Sequence, residues 1–316
     1  MISVKSLTKY YYNDIPAVNK VSFEIKKGEI IGLLGPNAAG KTTIMKILTG
    51  YLYPNSGEVS IGDMNIYEDP IKIKKMIGYL PETAPLYQDV TVEEYLDFIA
   101  DIRGIDVSKK EERCNEMIKA CDLQDVYYSN ISELSKGFRQ RVGLASAMMH
   151  DPDILILDEP TSGLDPLQIM EFRKLLRRLG EEKTIILSTH ILQEVAATCE
   201  RIIIIHKGKK IADDTQKNLL DSCSDDKYML FTIEAEENWN KIEQDIAKLK
   251  GIWELEFRRR IGENQLEFKA FLKQDNSFKN ELKSYLSENN WKLIDSDVIP
   301  ADLEEVFLKF TKGGLK

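Results

Sequence analysis

Nine consecutive residues, Gly35-Pro36-Asn37-Ala38-Ala39-Gly40-Lys41-Thr42-Thr43, have the types and order needed to hold a triphosphate. They satisfy G-x-x-x-x-G-K-S/T, a loop whose backbone N–H groups point into one anion-sized concavity. The glycines give the chain the freedom to make that turn. Lys41 can set its ammonium on the outer phosphates, and the Thr42 hydroxyl can hold Mg²⁺. A second set lies further on, where the apolar run Ile154-Leu155-Ile156-Leu157 ends in Asp158 and Glu159. With a phosphate loop upstream, Asp158 suits Mg²⁺, directly or through water. Glu159 suits the orientation and deprotonation of an attacking water.

Those side chains work only if regular elements present them together. Glu29-Ile30-Ile31-Gly32-Leu33-Leu34 reads as a short buried strand feeding the loop. Thr42 to Thr49 reads as the helix that follows, with Ile44, Ile47 and Leu48 on one face and Gly50 as its stop. A phosphate at the N-terminus of that helix also meets its dipole. The Ile154–Leu157 strand would deliver both carboxylates to the edge of a parallel sheet, where ligands bind.

The chain has 316 residues, 43% hydrophobic and 30% charged, a globular profile with room for two domains. No apolar run approaches the ~18 residues that span a bilayer. Met1 to Lys5 already has strand character, so no signal peptide is expected and any membrane role falls to a separate chain. A formal charge of −9 argues against a nucleic-acid binder. Arg258-Arg259-Arg260 reads as a solvated strand end. The four cysteines, at 114, 121, 199 and 223, make no C-x-x-C pair and read as reduced thiols, and the three histidines make no metal cluster.

Strand patterns appear at Ile2–Val4, Val21–Ile25 and Val59–Ile61. From Thr91 to His150 the pattern is helical, opened by a capping box with Thr91 as N-cap and Glu94 at the third position. Strand–helix alternation returns from Ile154, with helices at Pro166–Leu179 and Ile191–Thr198 and a hairpin through Lys207-Gly208. A polar boundary at Lys217–Asp226 precedes strand, helix, strand, strand, helix, strand, the order of a small ferredoxin-like domain. Pro300 is read as the opening of a last helix, to Phe310.

Five motifs in order now carry a resemblance. Ile77-Gly78-Tyr79-Leu80-Pro81-Glu82 sits where ATP-binding cassette (ABC) proteins have their Q-loop. Leu134-Ser135-Lys136-Gly137-Phe138-Arg139-Gln140-Arg141 resembles their signature motif. Asp158 to Pro166 resembles the Walker B motif and D-loop, and Leu187-Ser188-Thr189-His190 the switch histidine. With the phosphate loop, the set covers about residues 1 to 215 and is most similar to ATP-binding subunits of bacterial exporters of the multidrug, sodium and gliding-motility group.

The resemblance implies an α/β fold of the P-loop NTPase, ABC type: a mainly parallel sheet, an antiparallel β subdomain and a helical subdomain at about 88–150. The ATP-binding domain is expected over 1–216 and the small α+β, ferredoxin-like domain over 227–316. ATP and Mg²⁺ are the implied ligands, Mg²⁺ on Thr42, Glu82 and Asp158. The nucleotide would lie along Gly35, Pro36, Asn37, Ala38, Ala39, Gly40, Lys41, Thr42 and Thr43, with Tyr11 on the adenine and Tyr10 and Tyr12 as rivals. Ser135 and Gly137, at a helix start, would meet the γ-phosphate held by an opposite subunit in a head-to-tail pair. Asp165 would communicate across that interface. His190 would contact the γ-phosphate and hold Glu159 and the water, so Glu159, His190 and Lys41 form the catalytic group. An integral membrane permease is the implied partner, met through the segment from Glu82 to Phe98, with the chain on the cytoplasmic face of the inner membrane. A non-transport ABC ATPase acting on a ribosome or DNA and a nucleotide-sensing regulatory cassette are the competing readings.

Three positions depart from the family pattern. Ala38 stands where glycine is usual, so a positive φ there would cost more. Lys136 replaces the middle glycine of the signature, either adding a cation near the partner's phosphates or pointing to solvent. Glu82 replaces glutamine and cannot donate an amide hydrogen bond, though it can bind Mg²⁺.

Overall fold

The computed structural model describes residues 1–11, 15–221, 227–236, 238–262, 264–273, 278–300 and 307. Two compact units result, Met1–Gln216 and Lys217–Lys316.

The first unit opens with strands β1 (Ile2–Lys9), β2 (Val18–Ile25) and β3 (Ile30–Leu34) and helix α1 (Lys41–Leu48). Strands β4 (Ser56–Ile61) and β5 (Met64–Asn65), helix α2 (Pro70–Met76) and strand β6 (Ile77–Leu80) follow. Helices α3 (Val92–Ile102), α4 (Val107–Ala120) and α5 (Lys136–Met148) come next. Alternation then resumes with β7 (Ile154–Asp158), α6 (Pro166–Gly180), β8 (Thr184–Thr189), α7 (Leu192–Thr198), β9 (Arg201–His206) and β10 (Lys209–Thr215), and helix α8 (Gln216–Asp221) starts at the unit's last residue.

One sheet runs β10-β9-β3-β8-β7-β6, parallel except for the β9–β10 hairpin. The other, β2-β1-β4-β5, is antiparallel. Every residue of β7 and β8 is buried, which is why those strands read as continuous apolar runs. Ile44, Met45, Ile47 and Leu48 of α1 join one core with Val4, Val21 and Val59 of the antiparallel sheet and Leu33, Ile156 and Ile203 of the parallel one. On β3, Gly32 lets α7 come close: a Cβ there would lie 2.2 Å from Val195 Cγ1. The capping box of α3 forms as read, Thr91 Oγ1 accepting from the Glu94 N–H and Glu94 Oε2 from the Thr91 N–H at 2.9 Å.

In the second unit, strand β11 (Lys227–Glu234), helix α9 (Trp239–Ile246), strands β12 (Ile252–Arg260) and β13 (Gln265–Leu272), helix α10 (Phe278–Glu288) and strand β14 (Lys292–Pro300) succeed one another. The sheet order β12-β13-β11-β14 is antiparallel throughout, the split βαβ arrangement. Phe231, Phe268, Phe278, Ile242 and Leu282 share its core. Arg258, Arg259 and Arg260 are exposed at the end of β12. Pro300 corrects one expectation. It opens no helix but ends β14, paired with Lys227. A proline suits the last residue of an edge strand, where no ladder N–H is needed. The rest of the helix expected to Phe310 lies outside the described residues, apart from a helical Phe307.

No helix among the described residues is long and apolar enough to cross a membrane. Cys114, Cys121 and Cys199 are buried free thiols, and Cys223 lies outside the described residues.

His150 follows α5 and bonds the Ile77 carbonyl of β6 at 3.0 Å. Burial, aided by the nearby Arg103 and Arg113 charges, pushes its pKa down to about 4. The unfolded chain therefore takes up a proton between about pH 6.5 and about 4 that the fold refuses. Stability falls as pH drops through that window. In His150→Gln, the loss of unfolding free energy between pH 7.5 and pH 5, measured by urea titration, should be smaller than in the parent chain. Equal losses would count against this origin.

Candidate functional site

Strands β3, β7 and β8 lie side by side, so their C-terminal ends deliver the phosphate loop, Asp158-Glu159 and Thr189-His190 to one crevice. A cavity of about 550 Å³ opens there, lined by Tyr11, Ala17, the segment Asn37 to Thr43, Glu82, Glu159, Ser162 and His190.

The loop takes the backbone its sequence called for. Gly40 caps α1 with φ +109, and a Cβ there would lie 2.5 Å from the Ala17 carbonyl oxygen. A Cβ on Gly35 would lie 2.3 Å from the Ile205 carbonyl oxygen. Ala38, where the sequence raised the question, does adopt a left-handed φ of +63. The Gly35 N–H donates to the Thr189 carbonyl at 3.3 Å, fastening the loop to the end of β8.

Lys41 is buried, yet its ammonium reaches the Gly35 carbonyl at 2.7 Å, the Pro36 carbonyl at 3.2 Å and Glu159 Oε1 at 3.2 Å. The other oxygen of Glu159 meets His190 Nδ1 at 2.8 Å. One carboxylate thus joins a buried lysine to a solvent-accessible imidazole. Its backbone is left-handed, φ +47, a conformation of the kind stored at functional sites. The Glu159 N–H is held from two sides, by the carbonyl and the hydroxyl of Ser188, each at 3.1 Å.

Ser188 also donates its hydroxyl to Asp158 Oδ1, and the Thr42 hydroxyl donates to the same oxygen at 3.3 Å. Asp158 and Thr42 therefore form a hard oxygen pair suited to Mg²⁺. Among the described residues no group of three or more His, Cys, Asp or Glu could hold a metal. Glu82 is exposed at the cavity, its carbonyl accepting from Gln140 Nε2 of α5 at 3.0 Å. Tyr11 reaches the other side, its hydroxyl 3.2 Å from Thr43 Oγ1. Tyr10 is not in the cavity lining, and Tyr12 lies outside the described residues.

Three expected residues sit elsewhere. Ser135 caps α5, accepting from the Phe138 N–H at 3.3 Å. With Gly137 it borders a second cavity of about 480 Å³ that also includes Arg141, Gln168 and Glu171. Asp165 caps α6, accepting from the Gln168 N–H at 2.9 Å. Arg141 straps the two helices, bonding Glu171 of α6 at 2.7 Å and Asp122 at 3.2 Å. Lys136 is exposed, and its ammonium passes close to Gly163: a Cβ there would lie 2.5 Å from its Nζ. Sequence reasoning gave no role to Ser188, Ala17 or Ser162. Ser188 was findable only through the β7–β8 register, which sets it beside Asp158.

The fold and the crevice define a P-loop NTPase, with an anion-binding turn, a hydroxyl–carboxylate pair and a lysine–glutamate–histidine chain. The comparisons narrow the class. The family model described as ABC transporter matches residues 18–162. The probable multidrug ABC transporter ATP-binding protein YbhF of Escherichia coli K12 is 40% identical over 220 residues, 69% of this chain and 38% of that protein. The ABC transporter ATP-binding protein NatA of Bacillus subtilis is 36% identical over 211 residues, 66% of this chain and 85% of that protein. Among solved structures, a dimeric post-hydrolysis state of the cassette MJ0796 bound to ADP and Pi matches at TM-score 0.62 and 27% identity, covering 68% of this chain and 98% of that one. The chain belongs to the ABC transporter family, as an ATPase-type, ATP-binding cassette. The chain spans well under half the length of YbhF and most of NatA.

Proposed function

We propose that this chain is the ATP-hydrolysing subunit of an exporter-type ABC transporter, with residues 1–216 as its motor and 227–316 as an accessory domain. The observation that carries the reading is the Lys41–Glu159–His190 chain at the mouth of the phosphate loop.

ATP binds with its phosphates along Gly35 to Thr43 and its adenine against Tyr11. Phosphate oxygens compete with Glu159 for the Lys41 ammonium, which releases the carboxylate toward a water. Glu159 then orients that water and accepts its proton, while His190 holds the carboxylate and reaches the γ-phosphate. Thr42 and Asp158 would hold Mg²⁺, with Glu82 at the same cavity. The ion supplies charge neutralisation of the β- and γ-phosphates.

Ser135 and Gly137 border a different cavity from Lys41, which supports a head-to-tail pair in which each chain completes the other's site. Asp165 lies at that interface. ATP closes the pair because it contacts both chains only in the closed form, and hydrolysis reopens it. The motion is passed to a separate membrane permease through the segment from Glu82 to Phe98, on the cytoplasmic face of the membrane. The dimeric MJ0796 cassette with ADP and Pi supports this cycle by likeness.

The test is isolation of the tagged chain from detergent-solubilised membranes. It should bring down a multi-span membrane protein and release phosphate from ATP only with Mg²⁺. Recovery with ribosomes or nucleic acid, or no Mg²⁺-dependent release, would contradict the reading.

A further inference from the structure

Behind His190 lies a carboxylate that the proposed cycle does not use. Glu194, on α7, is 2% exposed. Its Oε2 accepts the Thr189 hydroxyl at 2.7 Å, and its Oε1 is buried with no hydrogen-bond partner. Thr189 is itself fully buried and is held on three sides. Its hydroxyl oxygen accepts the Ile191 N–H at 3.0 Å, its carbonyl accepts the Gly35 N–H at 3.3 Å, and its hydroxyl proton goes to Glu194. The Glu194 N–H returns to the Ile191 carbonyl at 3.2 Å. The residues on both sides of His190 are therefore fixed through one hydroxyl, and that hydroxyl is oriented by one buried carboxylate.

We infer that Glu194 is a positioning residue for the hydrolytic site: through Thr189 it sets where His190 stands relative to Glu159. The inference rests on the roles proposed for His190 and Glu159. The physical argument is directional. Thr189 has a single proton, and committing it to Glu194 leaves its oxygen free to accept from Ile191. A buried acid is costly unless bonded, so the pair holds its geometry firmly. Without Glu194 the hydroxyl can rotate and the turn through residues 189–191 loses its reference. His190 then drifts from the 2.8 Å contact with Glu159. A displacement of about 1 Å at a group that positions the chemistry costs on the order of 10²-fold in rate.

The experiment compares steady-state ATPase, nucleotide affinity and thermal midpoint for Glu194→Ala, Glu194→Gln, Thr189→Val and Thr189→Ser, with His190→Ala and Glu159→Gln as references. Glu194→Ala and Thr189→Val should each lower kcat about 10- to 100-fold with ATP Kd within about threefold of the parent. The two combined should lose no more than either alone, because both break one linkage. Glu194→Gln and Thr189→Ser, which keep the acceptor and the hydroxyl, should restore kcat to within about threefold. The ring resonances of His190, assigned by their absence in His190→Ala, should shift in Glu194→Ala and not in Glu194→Gln. If Glu194→Ala does not fold, Thr189→Val carries the test, since it keeps the carboxylate in place. A folded Glu194→Ala or Thr189→Val with parental kcat and unshifted His190 signals overturns the inference. If the His190→Ala and Glu159→Gln references also keep parental turnover, it is the proposed chemistry that fails instead.

Discussion

Replacing Glu159 with glutamine should slow ATP turnover by about 10²–10⁴-fold, the range of a lost general base. The change is nearly isosteric, and the side chain is buried between Lys41 and His190, so its shape is retained. An amide still accepts a hydrogen bond but cannot take a proton from water. Nucleotide affinity should therefore remain within a few-fold of the parent. If closure needs ATP and reopening needs hydrolysis, the variant should accumulate as an ATP-bound pair in size-exclusion chromatography. Single-turnover phosphate release and equilibrium nucleotide titration separate the two effects. Parallel loss of binding would mark Glu159 as structural, and undiminished turnover would remove it from the chemistry.

Lys41→Ala should act on the other quantity. The ammonium is buried and faces two carbonyls and one carboxylate across the same cavity. Its removal takes away the only charge of that sign the loop itself contains. It also leaves Glu159 facing the phosphates without a counter-charge. Truncating one partner of a buried charge pair costs about 2–5 kcal/mol. That corresponds to roughly 30- to 5,000-fold in Kd. The upward shift in thermal midpoint that saturating ATP gives the parent should shrink accordingly. An unchanged Kd would show that the loop N–H groups suffice. Lys41→Arg should not rescue, because a planar guanidinium does not replace the compact ammonium that lies within 3.2 Å of the Gly35 and Pro36 carbonyls and Glu159 Oε1.

How much of this was readable from the residues follows a physical line. The phosphate loop, Asp158-Glu159 and the Thr91 capping box are local patterns, and each formed where its spacing put it. The buried strands were readable because strands covered on both faces must be apolar throughout. Ser188 and Glu194 were not. Ser188 acquires meaning from strand register, thirty residues from Asp158, and Glu194, though only five residues from Thr189, from burial that a local pattern does not reveal. Lys136 left two readings open; it is exposed, and its passage beside Gly163 depends on a loop remote in sequence. Pro300 misled because proline favours both a helix start and the end of an edge strand. Deciding between them needs the neighbouring strand.

The left-handed backbone of Glu159 has an evolutionary corollary. An L residue held there costs about 1–3 kcal/mol, which a glycine would avoid. Selection for thermostability alone would favour glycine at this position, whereas selection for turnover would favour the acid, so robustness and chemistry pull it in opposite directions.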